Sequence, residues 1–214
     1  MPLKLLLIRH GESQGNASRQ WQGWLDVPLT QRGREQAQRL AAWLERWSVE
    51  QSEPITAVHS STLIRAHQTA SVLARRCGVP LVLDKRLRER NIGALEGLTW
   101  PEVEARYPKL TQIIRQRKAI PALPGGESPF QLAERMWQAV EEIADGRAQG
   151  ESVAVVSHGG ALNAYFNRLL GRGDDMPFLF RLDNTALSIV EIQDARRRIA
   201  LVNGLYHLNL GGAK

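Results

Sequence analysis

Two histidines sit in matching settings far apart in the chain. Arg9-His10-Gly11 closes one apolar run, and Ser157-His158-Gly159-Gly160 closes another. A glycine after a histidine lets the backbone approach a ligand and leaves its N–H groups accessible. A helix starting just past His158 would add its positive end, which favours an anion. Arg65 extends the pattern: it falls in the first turn of an expected helix, where a cation opposes the helix dipole. Read alone, Arg65 is a solvated surface arginine, and either histidine is a satisfied core or capping residue. Read together with Arg9, they account for one small anionic ligand, because guanidinium groups fork onto phosphate oxygens. Two arginines and two histidines around one anion make a phosphoryl site.

The elements that must position these residues alternate strand and helix. Leu3 to Ile8 reads as a buried strand, Ile55 to His59 as a second and Leu81 to Leu83 as a short third. Ser152 to Val156 is a fourth, and Ala186 to Ile192 with Ile199 to Val202 form a terminal hairpin around the charged turn Gln193 to Arg198. Thr30 caps a helix whose apolar face runs Ala37, Leu40, Ala41, Leu44, Trp47. Ser61 or Thr62 caps another that stops at Cys77-Gly78. Short helices interrupt Glu89 to Pro124, one starting near Trp100-Pro101. Ser128-Pro129-Phe130-Gln131 combines a capping box with proline at the first helical position, ahead of an inward face of Leu132, Met136, Val140 and Ile143. A last long helix runs from His158 to about Leu170. This order predicts an α/β fold, a three-layer α/β/α sandwich on a mostly parallel central sheet, as one domain over 1–214. Ligands in such sheets sit beyond the carboxyl ends of the parallel strands. Both histidines are therefore expected side by side, with neither ring buried away from solvent.

Composition narrows the partners. The chain has 214 residues, 43% hydrophobic and 23% charged, which excludes a disordered chain. The longest apolar runs fall well short of the roughly 18 residues of a membrane span, and Leu3 to Ile8 is too short for a signal peptide. One cysteine, Cys77, forbids an internal disulfide and suits a reducing, cytoplasmic setting. The net charge of +6 permits nucleic-acid binding but fits an acidic small molecule equally well. The basic residues are scattered, with clusters only at Arg115, Arg117 and Lys118 and at Arg196 to Arg198, so a nucleic-acid partner is not expected. Neither a membrane partner nor a metal is expected, since carboxylate clusters and His-x₃-His spacing are missing. A homodimer is the base expectation for an oligomer.

The chain resembles the histidine phosphatase superfamily, also called phosphoglycerate-mutase-like. The match runs through Leu-Leu-Leu-Ile-Arg-His-Gly-Glu-Ser at 5–13, Asn16, Gln22-Gly23, Asp26, Pro28-Leu29-Thr30 and Gly33. It continues through Ser60-Ser61, Leu63, Arg65-Ala66, Gln68-Thr69-Ala70, Leu87-Arg88-Glu89, Gly93, Glu96-Gly97, Pro124-Gly125-Gly126-Glu127-Ser128 and Val155 to Gly160. The resemblance implies that His10 is the nucleophile and carries a phosphohistidine. It implies that Arg9, Arg65 and His158 line the phosphate pocket as its positive charge, with Asn16, Gln22, Gly23 and the Gly11 and Gly159 backbone nearby. Glu89 would be the proton donor and acceptor; without the resemblance it is one more acid in a charged stretch. No cofactor is implied.

Within the family, mutases carry Glu-Arg-His-Tyr-Gly where this chain has Glu89-Arg90-Asn91-Ile92-Gly93. Asn91 and Ile92 depart, and the Glu96-Gly97 turn with Gly125 to Ser128 resembles the phosphatase branch. Leu95 and Thr62 depart from that branch, which usually has an aromatic and a proline there. The expected function is a metal-independent phosphomonoester hydrolase. Arg90, with Arg115 or Arg117, suggests a carboxylate-bearing substrate such as phosphoserine, unless these are solvated surface charges. The alternatives are a cofactor-dependent phosphoglycerate mutase and a catalytically silent protein that binds a phosphorylated ligand. Trp21 and Trp24 bracket Gln22-Gly23 as pocket wall or as loop packing. Cys77 reads as an inert thiol and His207 as structural; His59 and His67 carry no matching motif.

Overall fold

The computed structural model describes residues 1–116, 118, 120–174, 176–194 and 196–209. In chain order the strands are β1 (Leu3–Arg9), β2 (Ile55–Ser60), β3 (Leu81–Leu83), β4 (Ser152–Ser157), β5 (Leu187–Gln193) and β6 (Arg196–Gly204). The helices are α1 (Gln14–Ala17), α2 (Gln31–Gln51), α3 (Ile64–Cys77), α4 (Trp100–Arg106), α5 (Pro108–Arg115), α6 (Pro129–Asp145), α7 (Gly159–Leu169) and α8 (Tyr206–Asn209). Single 3₁₀ turns cover Lys85–Leu87 and Gly93–Leu95.

The strands form one sheet in the order β3-β2-β4-β1-β5-β6. The first four are mutually parallel, and β5 and β6 add an antiparallel flank. β1 and β4 sit in the middle, so their side chains are buried on both faces, as near-continuous apolar runs require. Period-two alternation divides them. Leu3, Leu5, Leu7, Val153 and Val155 pack with α6 and α7 on one face. Leu6, Ile8, Ala154 and Val156 pack with α2 and α3 on the other. These are the three expected layers. A smaller cluster of Leu95, Val103 and Leu110 packs with Trp21, Ile92 and Leu98.

Capping follows the expected chemistry at two helices. The Thr30 hydroxyl accepts from Gly33 N–H at 3.0 Å, and Ser128 with Gln131 completes a capping box. At α3 it differs. Leu63, not Ser61 or Thr62, is the cap residue and contributes no side-chain bond. The Ser61 hydroxyl is used on His158, and the Thr62 hydroxyl accepts from Arg88 Nε at 2.6 Å. The first N–H of α3 is satisfied from a distance, by Asp26 Oδ1 at 2.6 Å from Ile64 N. The last strand also begins earlier than expected, at Arg196.

The parallel register delivers the site. Arg9 pairs with Ser157 and Ser60 with Val156, so the chain leaves three adjacent strands at His10, His158 and Ser61. The turn after β1 is wedged against the start of α2. A Cβ on Gly33 would lie 2.0 Å from Glu12 O, and one on Gly11 2.6 Å from Gly33 O. Backbone cannot yield as a side-chain tip can. Gly33→Ala is expected to cost about 1–3 kcal/mol by overpacking, read as a lower urea midpoint; an unchanged midpoint would show that the two backbones are not in this contact.

Candidate active site

A cavity of about 760 Å³ opens above the carboxyl ends of β1 and β4. Arg9, His10, Asn16, Gln22, Gly23, Arg65, Glu89, Arg90 and Gly159 all line it, which brings together nearly every residue expected there. His158 and Gly11 are the exceptions. The His10 and His158 rings meet edge to face at 5.1 Å between centroids. His10 keeps 2% of its surface at the cavity floor, whereas His158 is fully buried behind it at 0%. The expectation that both rings reach solvent therefore holds for His10 alone. The Gly11 N–H is also spoken for, since it donates to Thr69 Oγ1 at 3.0 Å. Gly11 also packs closely on the Gly33 backbone.

The tautomers follow from the partners. His10 Nδ1 lies 2.7 Å from the Gly11 carbonyl, which can only accept, so the proton sits on Nδ1 and Nε2 carries the free lone pair. Ser61 Oγ accepts from Leu63 N–H at 3.2 Å and faces His158 Nε2 at 2.8 Å. The hydroxyl proton then finds its acceptor in Nε2, which leaves the His158 proton on Nδ1.

Burial holds both rings neutral. The pKa of His10 is pushed well below its usual value by desolvation first, then by Arg65 and Arg9, against a smaller opposing effect of the Gly11 carbonyl. His158 is pushed the same way by desolvation, then by Arg65, His10, Arg135 and Arg9. His158 is thus a neutral N–H donor beside His10, not the positive charge expected of it. The guanidiniums keep that charge. Burial lowers Arg65 to about 10, which leaves it cationic at neutral pH, and lowers Arg9 too.

Both arginines are anchored and incompletely satisfied. Arg9 Nη1 donates to Leu182 O at 2.5 Å; Arg65 Nη1 and Nη2 donate to Leu25 O and Gly23 O, each at 2.8 Å. Arg9 Nε, Arg65 Nε and His158 Nδ1 are buried without a protein partner. A buried donor left unmade costs about 1–3 kcal/mol. Here three of them surround His10, and a tetrahedral oxyanion is the group that would accept from all three. Asn16 adds a fourth donor: its Oδ1 takes Ser13 N–H and Asn184 Nδ2, both at 3.1 Å, so its amide NH₂ is the end free for the cavity.

Glu89 is held at the cavity wall by Arg90 N–H on Oε1 at 2.8 Å and Gly160 N–H on Oε2 at 2.9 Å. A Cβ on Gly160 would lie 2.5 Å from Glu89 Oε1, so a larger residue there would push the carboxylate out of this position. Arg90 lines the cavity, but its guanidinium is tied to the carbonyls of Ile120, Pro121 and Glu127. Arg115 pairs with Glu104 outside the cavity; Lys118 lines it, and Arg117 lies outside the described residues. Of the basic residues expected to meet a substrate carboxylate, Arg90 alone among the described residues lines the cavity, and Lys118, which was not among them, lines it too. Trp21 is cavity wall and stacks on Trp100, whereas Trp24 packs in the loop. Among the described residues no three His, Cys, Asp or Glu side chains gather as a metal site would need.

Several supporting residues carried no signal in the sequence. Asn184 Nδ2 and Thr185 N–H both bond the His10 carbonyl, and Thr185 is held in turn by buried His207, whose pKa burial pushes down to about 4. Asn163, one turn into α7, accepts from Leu179 and Phe180 N–H and so fixes the apolar cavity wall at Phe178 and Phe180. An asparagine inside an amphipathic helix is the only trace such a role leaves in sequence.

The chain belongs to the histidine phosphatase superfamily (branch 1), whose family model matches residues 5–204. Among its relatives, phosphoglycerate mutase-like protein 4 of Arabidopsis thaliana is 39% identical over 167 residues, 77% of this chain and 70% of that one. The metal-independent phosphoserine phosphatase of Arabidopsis thaliana is 34% identical over 211 residues, covering 98% and 84%. The solved structure of Bacillus stearothermophilus YhfR superposes with a TM-score of 0.85 at 31% identity, covering 96% of this chain and 99% of that one.

The histidine protonation states are directly measurable. Imidazole NMR signals of His10 and His158 are expected to stay neutral through the ordinary value of about 6.5, and titration of either there would contradict the burial argument. Between that value and the depressed native one the unfolded chain binds more protons, so stability is level above it and falls as pH drops below. His158→Asn should flatten part of that acid limb in thermal melts.

Proposed function

We propose that this protein is a phosphomonoester hydrolase that works through a phosphohistidine on His10 without a metal. The observation that carries the reading is the trio of unpartnered N–H donors around an imidazole whose Nε2 lone pair is free. His10 Nε2 attacks phosphorus while the bond from phosphorus to the ester oxygen breaks. Arg9, Arg65, His158 and the Asn16 amide accept the charge on the equatorial oxygens. An alkoxide leaves poorly, so Glu89 serves as the general acid toward the departing oxygen, a role typically worth about 10²–10⁴-fold. Water then attacks the phosphohistidine, its proton returns to Glu89, the phosphorus–nitrogen bond breaks and orthophosphate departs. The neutral state of His10 fits the first step, since an imidazolium has no lone pair to give.

Phosphoserine is the substrate expected first, on the name of the 34% identical relative and on Lys118 at the cavity wall. The second reading is a phosphoglycerate mutase, favoured by the name of the 39% identical relative. Against it stand Asn91 and Ile92, and an Arg90 whose guanidinium is already bonded to three carbonyls. Among the described residues no helix is long and apolar enough to cross a membrane. A cytoplasmic homodimer acting on a free small molecule, not on nucleic acid, completes the reading.

Inorganic phosphate should be released from p-nitrophenyl phosphate at full rate with EDTA present, and His10→Ala should lose more than ~10³-fold. Activity surviving in that variant, or abolished by the chelator, would refute the mechanism. Failure to trap ³²P on His10 would leave a silent phospho-ligand-binding protein. Interconversion of 2- and 3-phosphoglycerate in a coupled enolase assay should be negligible beside phosphate release; a mutase rate exceeding hydrolysis would install the second reading.

A further inference from the structure

The loop from Gly23 to Asp26 touches the two halves of the site at once. Its carbonyls at Gly23 and Leu25 take both terminal nitrogens of the Arg65 guanidinium, each at 2.8 Å. Its Asp26 carboxylate takes the first N–H of α3, the helix that carries Arg65. Between these contacts, Trp24 points the other way. Its indole Nε1–H donates to the Glu89 carbonyl at 2.7 Å, and its own N–H donates to Glu96 Oε1 at 2.7 Å. Arg88 lies over the indole face, 5.0 Å from the centroid. Arg135 Nη2 donates to the same Glu89 carbonyl at 2.8 Å. One short loop therefore grips the phosphate-side arginine through its backbone and the acid through one side chain. Trp24 is 38% exposed and does not line the cavity, so core packing does not account for a tryptophan there.

We propose that Trp24 is a positioning residue for the proton donor: its indole N–H holds the Glu89 backbone in register with the phosphate cradle, so that the carboxyl meets the departing oxygen. The inference rests on Glu89 being that donor. Its consequence is selective. Positioning of the acid matters where the leaving alkoxide must be protonated and not where the leaving group departs unaided. Phosphoserine belongs to the first kind and p-nitrophenyl phosphate to the second. kcat/KM reports the step in which the leaving group departs.

Trp24→Phe keeps an aromatic ring beneath Arg88 and removes the N–H together with the rest of the bicycle. It should lower kcat/KM for phosphoserine by about five- to tenfold, the size of one hydrogen bond, and leave p-nitrophenyl phosphate within about twofold. Incorporating benzothienylalanine at position 24, which keeps the bicycle and lacks the N–H, should give the same split. In a Glu89→Ala background, Trp24→Phe should change neither ester further, because the group it positions is gone. Equal losses for both esters in both variants, no loss for phosphoserine, or an undiminished effect without Glu89 would each overturn the proposal. Should Glu89→Ala itself fail to separate the two esters, the fault lies with the assignment of Glu89 as acid, a result distinct from any of these.

Discussion

Three N–H groups buried without protein acceptors, on Arg9, Arg65 and His158, are the constraint around which this molecule is arranged. An unmade buried hydrogen bond is costly, and a guanidinium buried as deeply as Arg65, at 1% exposure, is costlier still. A fold tolerates such groups only when its packing over-determines them. Here the packing comes from the middle of a parallel sheet sealed by helices on both faces, with β1 and β4 in direct register up to Arg9 and Ser157. The same burial that makes the donors costly keeps His10 neutral, with a lone pair free on Nε2. Destabilisation of the unliganded site and competence toward an oxyanion have one cause.

Around these groups, side chains bond backbone atoms of the site and hold them in place. The His10 carbonyl is held by Asn184 and Thr185, the Gly11 N–H by Thr69, and the Glu89 carbonyl by Trp24 and Arg135. Arg135 also gathers the carbonyls of Arg86 and Arg88 and pairs with Glu127, which in turn takes the Asn91 N–H. Several of these bonds run from the helices α3 and α6 to loop segments with little regular structure of their own. They let loops hold geometry of the kind that helices and strands give elsewhere.

Much of this was legible in the sequence, for physical reasons. Apolar runs that end abruptly in Arg-His or Ser-His mark central parallel strands, and a ligand edge follows from the sheet class alone. Capping chemistry located α2 and α6 because Thr30 and Ser128 act on their own neighbours. It misjudged α3, whose first N–H is satisfied by Asp26 from another segment. His158 was expected as an exposed cation and is a buried neutral donor, because periodicity cannot say how deep a residue lies once its strand ends. Arg90 was expected to face a substrate carboxylate and is occupied by carbonyls from 120–127, contacts that depend on how an irregular region folds back. Charge composition is silent on such long-range partners. The supporting asparagines and Thr185 left no pattern to find, since a polar side chain that bonds backbone elsewhere looks like any surface residue.

The central claim is that remote segments converge their spare N–H donors on one oxyanion in front of His10. A crystal structure of the protein soaked with orthovanadate tests it most directly. The account predicts vanadium in line with His10 Nε2, with equatorial oxygens within hydrogen-bond distance of Arg9 Nε, Arg65 Nε and His158 Nδ1. An anion seated elsewhere in the cavity, or one that leaves those three nitrogens without an acceptor, would contradict it.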